Sequence, residues 1–246
     1  MDYFKETIRS MRESGWKATL SRTTAHLRRK LVTYADLGFD LRNGVDTCRL
    51  RSIHDLDVDE ALKPDLIGYE PSPVHVIRSM LRSLPIDPAR FTFVDYGSGK
   101  GRVLMLASEY PFKEIFGLEL SGELHRIAEK NIAKWKRQVR ACDRIASVNL
   151  NATEFELPDS PLVLFFFSPF HEPVLAKLIP RIESFLQRGH RDIFIMYYGS
   201  REELLAQFGR LGLQCQEIYS RFNLAASGRY RGYLFFRKQE TRDALE

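Results

Sequence analysis

From residue 72 onward the apolar positions fall into two alternating rhythms. Val76, Ile77, Met80, Leu81 and Leu84 recur at helical spacing, which predicts a helix with Ser72 as N-cap and Pro73 at its first position. "FTFVDYG" (91–97) then reads as a strand ending on a glycine, "RVLMLASEY" (102–110) as a short helix and "EIFGLEL" (114–120) as a second strand. A helix follows over 121–138, with Leu124, Ile127, Ala128, Ile132 and Trp135 on one stripe, and "ASVNLNA" (146–152) is a weak strand. "PLVLFFF" (161–167) and "DIFIMYYG" (192–199) are continuous apolar runs, as in strands buried on both faces. Between them "EPVLAKLIPRIESFLQR" (172–188) is helical, with Pro180 marking a kink. "SREELLAQFGRLG" (200–212) is a helix with a Ser200/Glu203 capping box and a terminal glycine, followed by strands at 214–220 and 232–238.

Strands alternating with helices predict a doubly wound α/β domain, its sheet mainly parallel and covered by helices on both faces. Ligands in such sheets bind beyond the carboxyl ends of the strands, at the switch point. Upstream the pattern differs. Residues 1–35 carry helical stripes (Phe4, Ile8 and Met11; Leu27, Leu31 and Tyr34), and residues 36–66 mix turn residues with short apolar pieces. The chain therefore divides into an N-terminal helical extension, 1–66, and a ligand-binding domain, 67–240.

Charge changes this picture in one place. Residues 1–30 hold eight basic and three acidic side chains, which carry all of the formal +5, so the rest of the chain is neutral. That balance argues against nucleic acid as a partner of the domain, while the extension is either a basic arm for an acidic partner or membrane surface, or a capping helix with a solvated face. No apolar run has the roughly 20 residues of a membrane span, and the N-terminus lacks a signal-peptide core. Cys48, Cys142 and Cys215 are few and widely spaced, which suits a reducing compartment and suggests no metal. A cytoplasmic protein is expected.

The chemistry concentrates in "FVDYGSGKGR" (93–102), at the end of the first strand. A triphosphate-binding loop needs G-x-x-x-x-G-K-[ST]; here Lys100 is followed by Gly101, and Val94 stands where the first glycine belongs. A dinucleotide loop needs G-x-G-x-x-G; Gly97 and Gly99 fit, but Arg102 occupies the third position. Asp95, two residues before the loop, would repel a pyrophosphate and would suit a cationic, phosphate-free ligand. S-adenosyl-L-methionine is such a ligand. Gly97, Ser98, Gly99 and Gly101 would let the backbone approach its methionine part, and Glu119, closing the second strand, would accept its two ribose hydroxyls. Lys100 and Arg102, unfavourable beside a sulfonium, are expected to be solvated or paired with helix carboxylates.

With "FGLELS", this stretch resembles motif I and the acidic strand end of class I S-adenosylmethionine-dependent methyltransferases. It is most similar to a bacterial group with F-V-D-x-G-S-G-K-G-R, and more distantly to the non-SET histone-lysine methyltransferases. The likeness spans about 67–240 in element order and is specific at 69–73, 93–102, 117–121 and 166–170. It implies a Rossmann-like seven-stranded sheet whose last strand is inserted antiparallel.

The resemblance also implies site residues. Asn151 and Ala152 would meet the adenine, with the asparagine carbonyl accepting its amino group. Ser168-Pro169-Phe170 is similar to a shortened [DNS]-P-P-[YFW] of amine methyltransferases, with Ser168 holding an amine and Phe170 packing beside the methyl. Tyr69 would reach the cofactor's methionine end. By position rather than resemblance, His171 or Glu172, directly after Phe170, would serve as base for a neutral amine. Tyr197 and Tyr198 would line the acceptor pocket. A methyltransferase acting on nitrogen of a protein side chain or small molecule is the expectation. A non-catalytic module using the basic arm, or a nicotinamide oxidoreductase, are the alternatives.

Overall fold

The computed structural model describes residues 35–135, 140–167, 170–188, 192–200, 202–219 and 230–237. The basic helix expected over 1–35 therefore lies almost wholly outside the described residues, as do Ser168 and Pro169. A seven-stranded sheet forms the centre: β1 Thr92–Tyr96, β2 Glu114–Glu119, β3 Ile145–Asn149, β4 Leu162–Phe166, β5 Ile193–Gly199, β6 Gln214–Tyr219 and β7 Arg231–Phe236. Its order is β3-β2-β1-β4-β5-β7-β6, with β7 antiparallel to both β5 and β6 and the other pairs parallel. The inserted antiparallel last strand is as expected.

The uninterrupted apolar runs are explained by burial on both sides. In β4, Val163 and Phe165 join one core cluster, whereas Leu162, Leu164 and Phe166 join the other. β5 splits the same way, Phe194, Met196 and Tyr198 against Ile193, Ile195 and Tyr197. Period-two geometry sends neighbours to opposite faces, so a strand covered twice shows no polar alternation. Five of the helices are α2 (Val74–Arg82), α3 (Arg102–Ala107), α4 (Gly122–Trp135), α5 (Glu172–Gln187) and α6 (Glu202–Gly209), with α1, residues 35–43, preceding them. The apolar stripes of α2, α3 and α4 fill the first cluster, and those of α5 and α6 the second. α5 runs through Pro180 without ending there.

Two local expectations are corrected. Ser72 does not cap α2: the helix begins at Val74, whose N–H donates to Asp36 Oδ1 (3.2 Å), while the Ser72 carbonyl accepts from Arg102. The cap thus comes from α1, 38 residues upstream, a partner that local spacing does not reveal. The residues between α1 and α2 are equally ordered by partners. Arg51 and Tyr69 form an antiparallel bridge, closing a strap over 52–68 that lies across the carboxyl ends of the strands. Asp57 ties that strap to α4, accepting from Ser121 Oγ (2.5 Å) and the Glu123 N–H (2.9 Å). At its far side Leu66 bridges Phe170, and Asp65 O accepts from the His171 N–H (2.9 Å).

Candidate ligand site at the strand ends

A cavity of about 230 Å³ lies between the strap and the carboxyl ends of β1, β2 and β4, where a parallel α/β sheet is expected to bind its ligand. Gly97 and Gly99 form its floor. The N–H groups of Gly97 and Ser98 both donate to Leu118 O (3.0 Å each), which fastens the loop to β2. Gly99 has φ +53°, and a Cβ there would collide with the ring of Tyr69, so both the backbone and the ring require glycine. Tyr69 lines the cavity, and its hydroxyl donates to Thr47 O (2.7 Å).

Glu119 stands in the wall at the end of β2, 8% exposed. Its Oε2 accepts from the Gly99 N–H (2.8 Å) and its Oε1 from the Ser121 N–H (2.9 Å). These bonds hold the carboxylate in place with acceptor capacity remaining. Burial pushes its pKa up to about 7, against the lowering effect of the Ser121, Gly99 and Leu120 N–H groups. Asp95 is 2% exposed and lies in β1 beneath the floor rather than in the wall. Burial first, and then the charge of Glu119, raise its pKa well above the ordinary carboxylate value. Two buried acids that repel one another form a site that a positive ligand would stabilise.

The cavity continues along Asn151, Ala152, Phe170 and Val174 under the strap residues Ile53, Leu56, Leu62 and Leu66. Asn151 Oδ1 already accepts from the Thr153 N–H (3.1 Å) and Thr153 Oγ1 (2.8 Å). The carbonyl expected to receive an adenine amino group is thus engaged in a local turn, and the amide nitrogen is the polar group with capacity to spare.

The other expected residues divide. Tyr69, Gly97, Gly99, Glu119, Asn151, Ala152 and Phe170 converge on the cavity. Ser98 and Gly101 do not line it: Ser98 Oγ is buried against Gly117 without a hydrogen-bond partner among the described residues, and Gly101 packs on Ala128. His171 occupies the N-cap position of α5 without a side-chain cap bond, and Glu172 accepts from Gln207 Nε2 (3.3 Å), neither on the cavity wall. Tyr197 and Tyr198 are fully buried rather than pocket-forming. Tyr198 instead backs Phe167 and Tyr230, two lining residues that spacing did not single out, with ring centroids at 5.2 and 5.6 Å.

Lys100 and Arg102 are 1% and 2% exposed, so neither is solvated; Arg102 instead pairs with helix carboxylates, Asp36 and Asp40 of α1, as the other expectation had it, whereas the partner of Lys100 lies outside a helix. Lys100 Nζ pairs with Asp46 Oδ1 (3.0 Å). Arg102 donates to Asp36 Oδ2 (2.7 Å), Thr47 Oγ1 (2.7 Å), Ser72 O (2.9 Å) and Cys48 Sγ (2.9 Å). Burial pushes the Cys48 thiol up to about 12, so it stays neutral and the aspartates balance the guanidinium.

No family model matches the sequence, and no curated protein matches it. Solved structures do match. A small RNA methyltransferase aligns with TM-score 0.51 at 14% identity over 73% of this chain and 29% of its own. A 23S rRNA methyltransferase aligns with TM-score 0.50 at 12% identity over 68% of each chain. A predicted N6-adenine-specific DNA methylase from Listeria monocytogenes aligns with TM-score 0.50 at 14% identity over 68% of this chain and 52% of its own. The chain has the Rossmann-like methyltransferase fold. Among the described residues no helix is long and apolar enough to cross a membrane, and no group of His, Cys, Asp and Glu could hold a metal.

Proposed function

We propose that the protein is a class I S-adenosyl-L-methionine-dependent methyltransferase. The observation that carries this is the Glu119 carboxylate, fixed by backbone N–H groups and standing in the cavity wall at the junction of a glycine floor and an acidic base. A ribose diol fits the first feature and a cationic amino-acid tail the second. The residues fit the cofactor: Gly97, Gly99 and Tyr69 would hold the methionine end, Glu119 the ribose, and Asn151 with Ala152 the adenine. When bound, the cofactor supplies a methyl group on an activated sulfonium leaving group. The protein's own contribution is alignment and exclusion of water. Ile53, Leu56 and Leu66 of the strap close an apolar wall over the site, and Phe170 packs at its far end.

The acceptor follows from two lines of support. Ser168-Pro169-Phe170 resembles the amine pattern, which favours nitrogen of a protein side chain or small molecule, as does the likeness to the F-V-D-x-G-S-G-K-G-R group and the non-SET histone-lysine enzymes. The solved structures above are described as acting on RNA or DNA, so the neutral charge of the domain is no ground for setting nucleic acid aside. We infer that residues 1–66 cover the site and select the acceptor, with 67–240 as the catalytic domain. Calorimetric titration with S-adenosylhomocysteine and with NAD tests the cofactor: binding of NAD alone refutes the proposal. Incubation with methyl-labelled cofactor and cell extract, counting protein, RNA, DNA and small-molecule fractions separately, assigns the acceptor.

A further inference from the structure

We propose that Lys100 and Arg102 are positioning residues: the two cations of the glycine loop hold the Tyr69 ring against Gly99 and thereby set cofactor affinity. The proposal rests on the cofactor reading above. Neither cation lines the cavity, yet each reaches Tyr69 by its own route. The Lys100 ammonium stands 5.4 Å from the Tyr69 ring centroid. Arg102 Nε donates to Thr47 Oγ1 (2.7 Å), and Thr47 O accepts the Tyr69 hydroxyl (2.7 Å). The ring is therefore gripped on its face by one cation and at its hydroxyl through the other.

The anchor points are themselves fixed. Asn131 of α4 donates to both Lys100 O (2.9 Å) and Asp46 O (2.9 Å), so the loop and the segment carrying Asp46 share one side chain. Asp40 accepts from the Cys48 N–H (2.8 Å) and pairs with Arg102 (3.7 Å). These aspartates also answer the charge objection to two cations near a cationic ligand. Lys100 is balanced by Asp46 and Arg102 by Asp36 and Asp40, so the cavity sees closed ion pairs rather than bare positive charge. Because Tyr69 also bridges Arg51 at the neck of the strap, its placement sets both the floor at Gly99 and the start of the apolar wall.

A double-mutant cycle with Lys100→Met and Tyr69→Leu, read as S-adenosylhomocysteine affinity by calorimetry well below each melting temperature, tests this. A desolvated ammonium over a ring predicts about tenfold weaker binding in each single variant. The double variant should be no weaker than the worse single one, because both remove the same placement. Tyr69→Phe keeps the ring and the packing and loses only the tie to Thr47. It should fold like the wild type, melt a few degrees lower and bind about fivefold more weakly when measured well below that melting temperature. Additive losses in the cycle, or wild-type affinity in Tyr69→Phe, overturn the positioning role while leaving the cofactor reading intact. No binding by the wild type overturns the cofactor reading and this proposal together.

Discussion

Replacing Glu119 by glutamine tests whether the protein stores an acid pair that its ligand relieves. Glu119 is raised from 4.5 to about 7 by burial, and Asp95 is raised well above 3.8 by burial and by Glu119. A carboxyl whose pKa is higher folded than unfolded binds protons more tightly in the native state. Stability therefore falls as pH rises, beginning near 4.5 and completing above about 7. Between pH 5 and pH 8 the Glu119 shift alone takes away about 2 to 3 kcal/mol. The amide cannot titrate, so Glu119→Gln should flatten the decline by about that amount, and by somewhat more because Asp95 loses its repelling neighbour. The variant also gives up one of the two N–H bonds now made to Gly99 and Ser121, but that cost of about 1 to 3 kcal/mol is independent of pH and leaves the slope readable. Urea midpoints of the ligand-free protein at pH 5, 6, 7 and 8, for wild type and variant, supply the comparison. Equal slopes would show that Glu119 is already ionised at pH 5, so that the buried acids store no repulsion for a ligand to relieve.

Three further outcomes follow from the packing. Arg102→Met strands Asp36 and Asp40 in the core, and urea unfolding should show a loss of about 3 to 5 kcal/mol that Arg102→Lys does not restore, since lysine cannot reproduce the four-partner fork. Gly117→Ala brings a Cβ to 2.5 Å from Leu104 Cδ1 and 2.6 Å from Ser98 Oγ, and thermal unfolding should register a loss of about 1 to 3 kcal/mol; an unchanged midpoint would mean that the loop yields easily. Asp57→Ala removes a cap that one segment lends to another helix. It should cost about 1 kcal/mol of stability and speed S-adenosylhomocysteine release in stopped-flow displacement, whereas an unchanged release rate would show that the strap does not control exit.

Position in the sequence made the sheet legible, because each central strand is a local object. Phe93 and Val94, or Phe165 and Phe166, announce burial on two faces without reference to anything distant. The floor and wall of the cavity were legible for the same reason: Gly97, Gly99 and Glu119 sit at strand ends, and strand ends converge. What spacing did not disclose was decided by partners far along the chain or by competition close at hand. Asp36 supplies the α2 cap in place of Ser72, and Asp57 caps α4 from 66 residues away. Asn151 spends its carbonyl on Thr153, two residues on, as asparagines in turns do. For Lys100 and Arg102 the sulfonium argument left solvation and pairing with helix carboxylates both open. Their charge is unfavourable next to a sulfonium, which excludes them as ligands but does not make them solvated. An isolated buried cation is costly, so its burial requires acids from elsewhere, and here they come from Asp36 and Asp40 of α1 and from Asp46 just beyond it. A glycine loop that carries two buried cations is therefore a statement about the segment preceding the domain: that segment must fold back onto the loop, and its aspartates belong to the site as firmly as the glycines do.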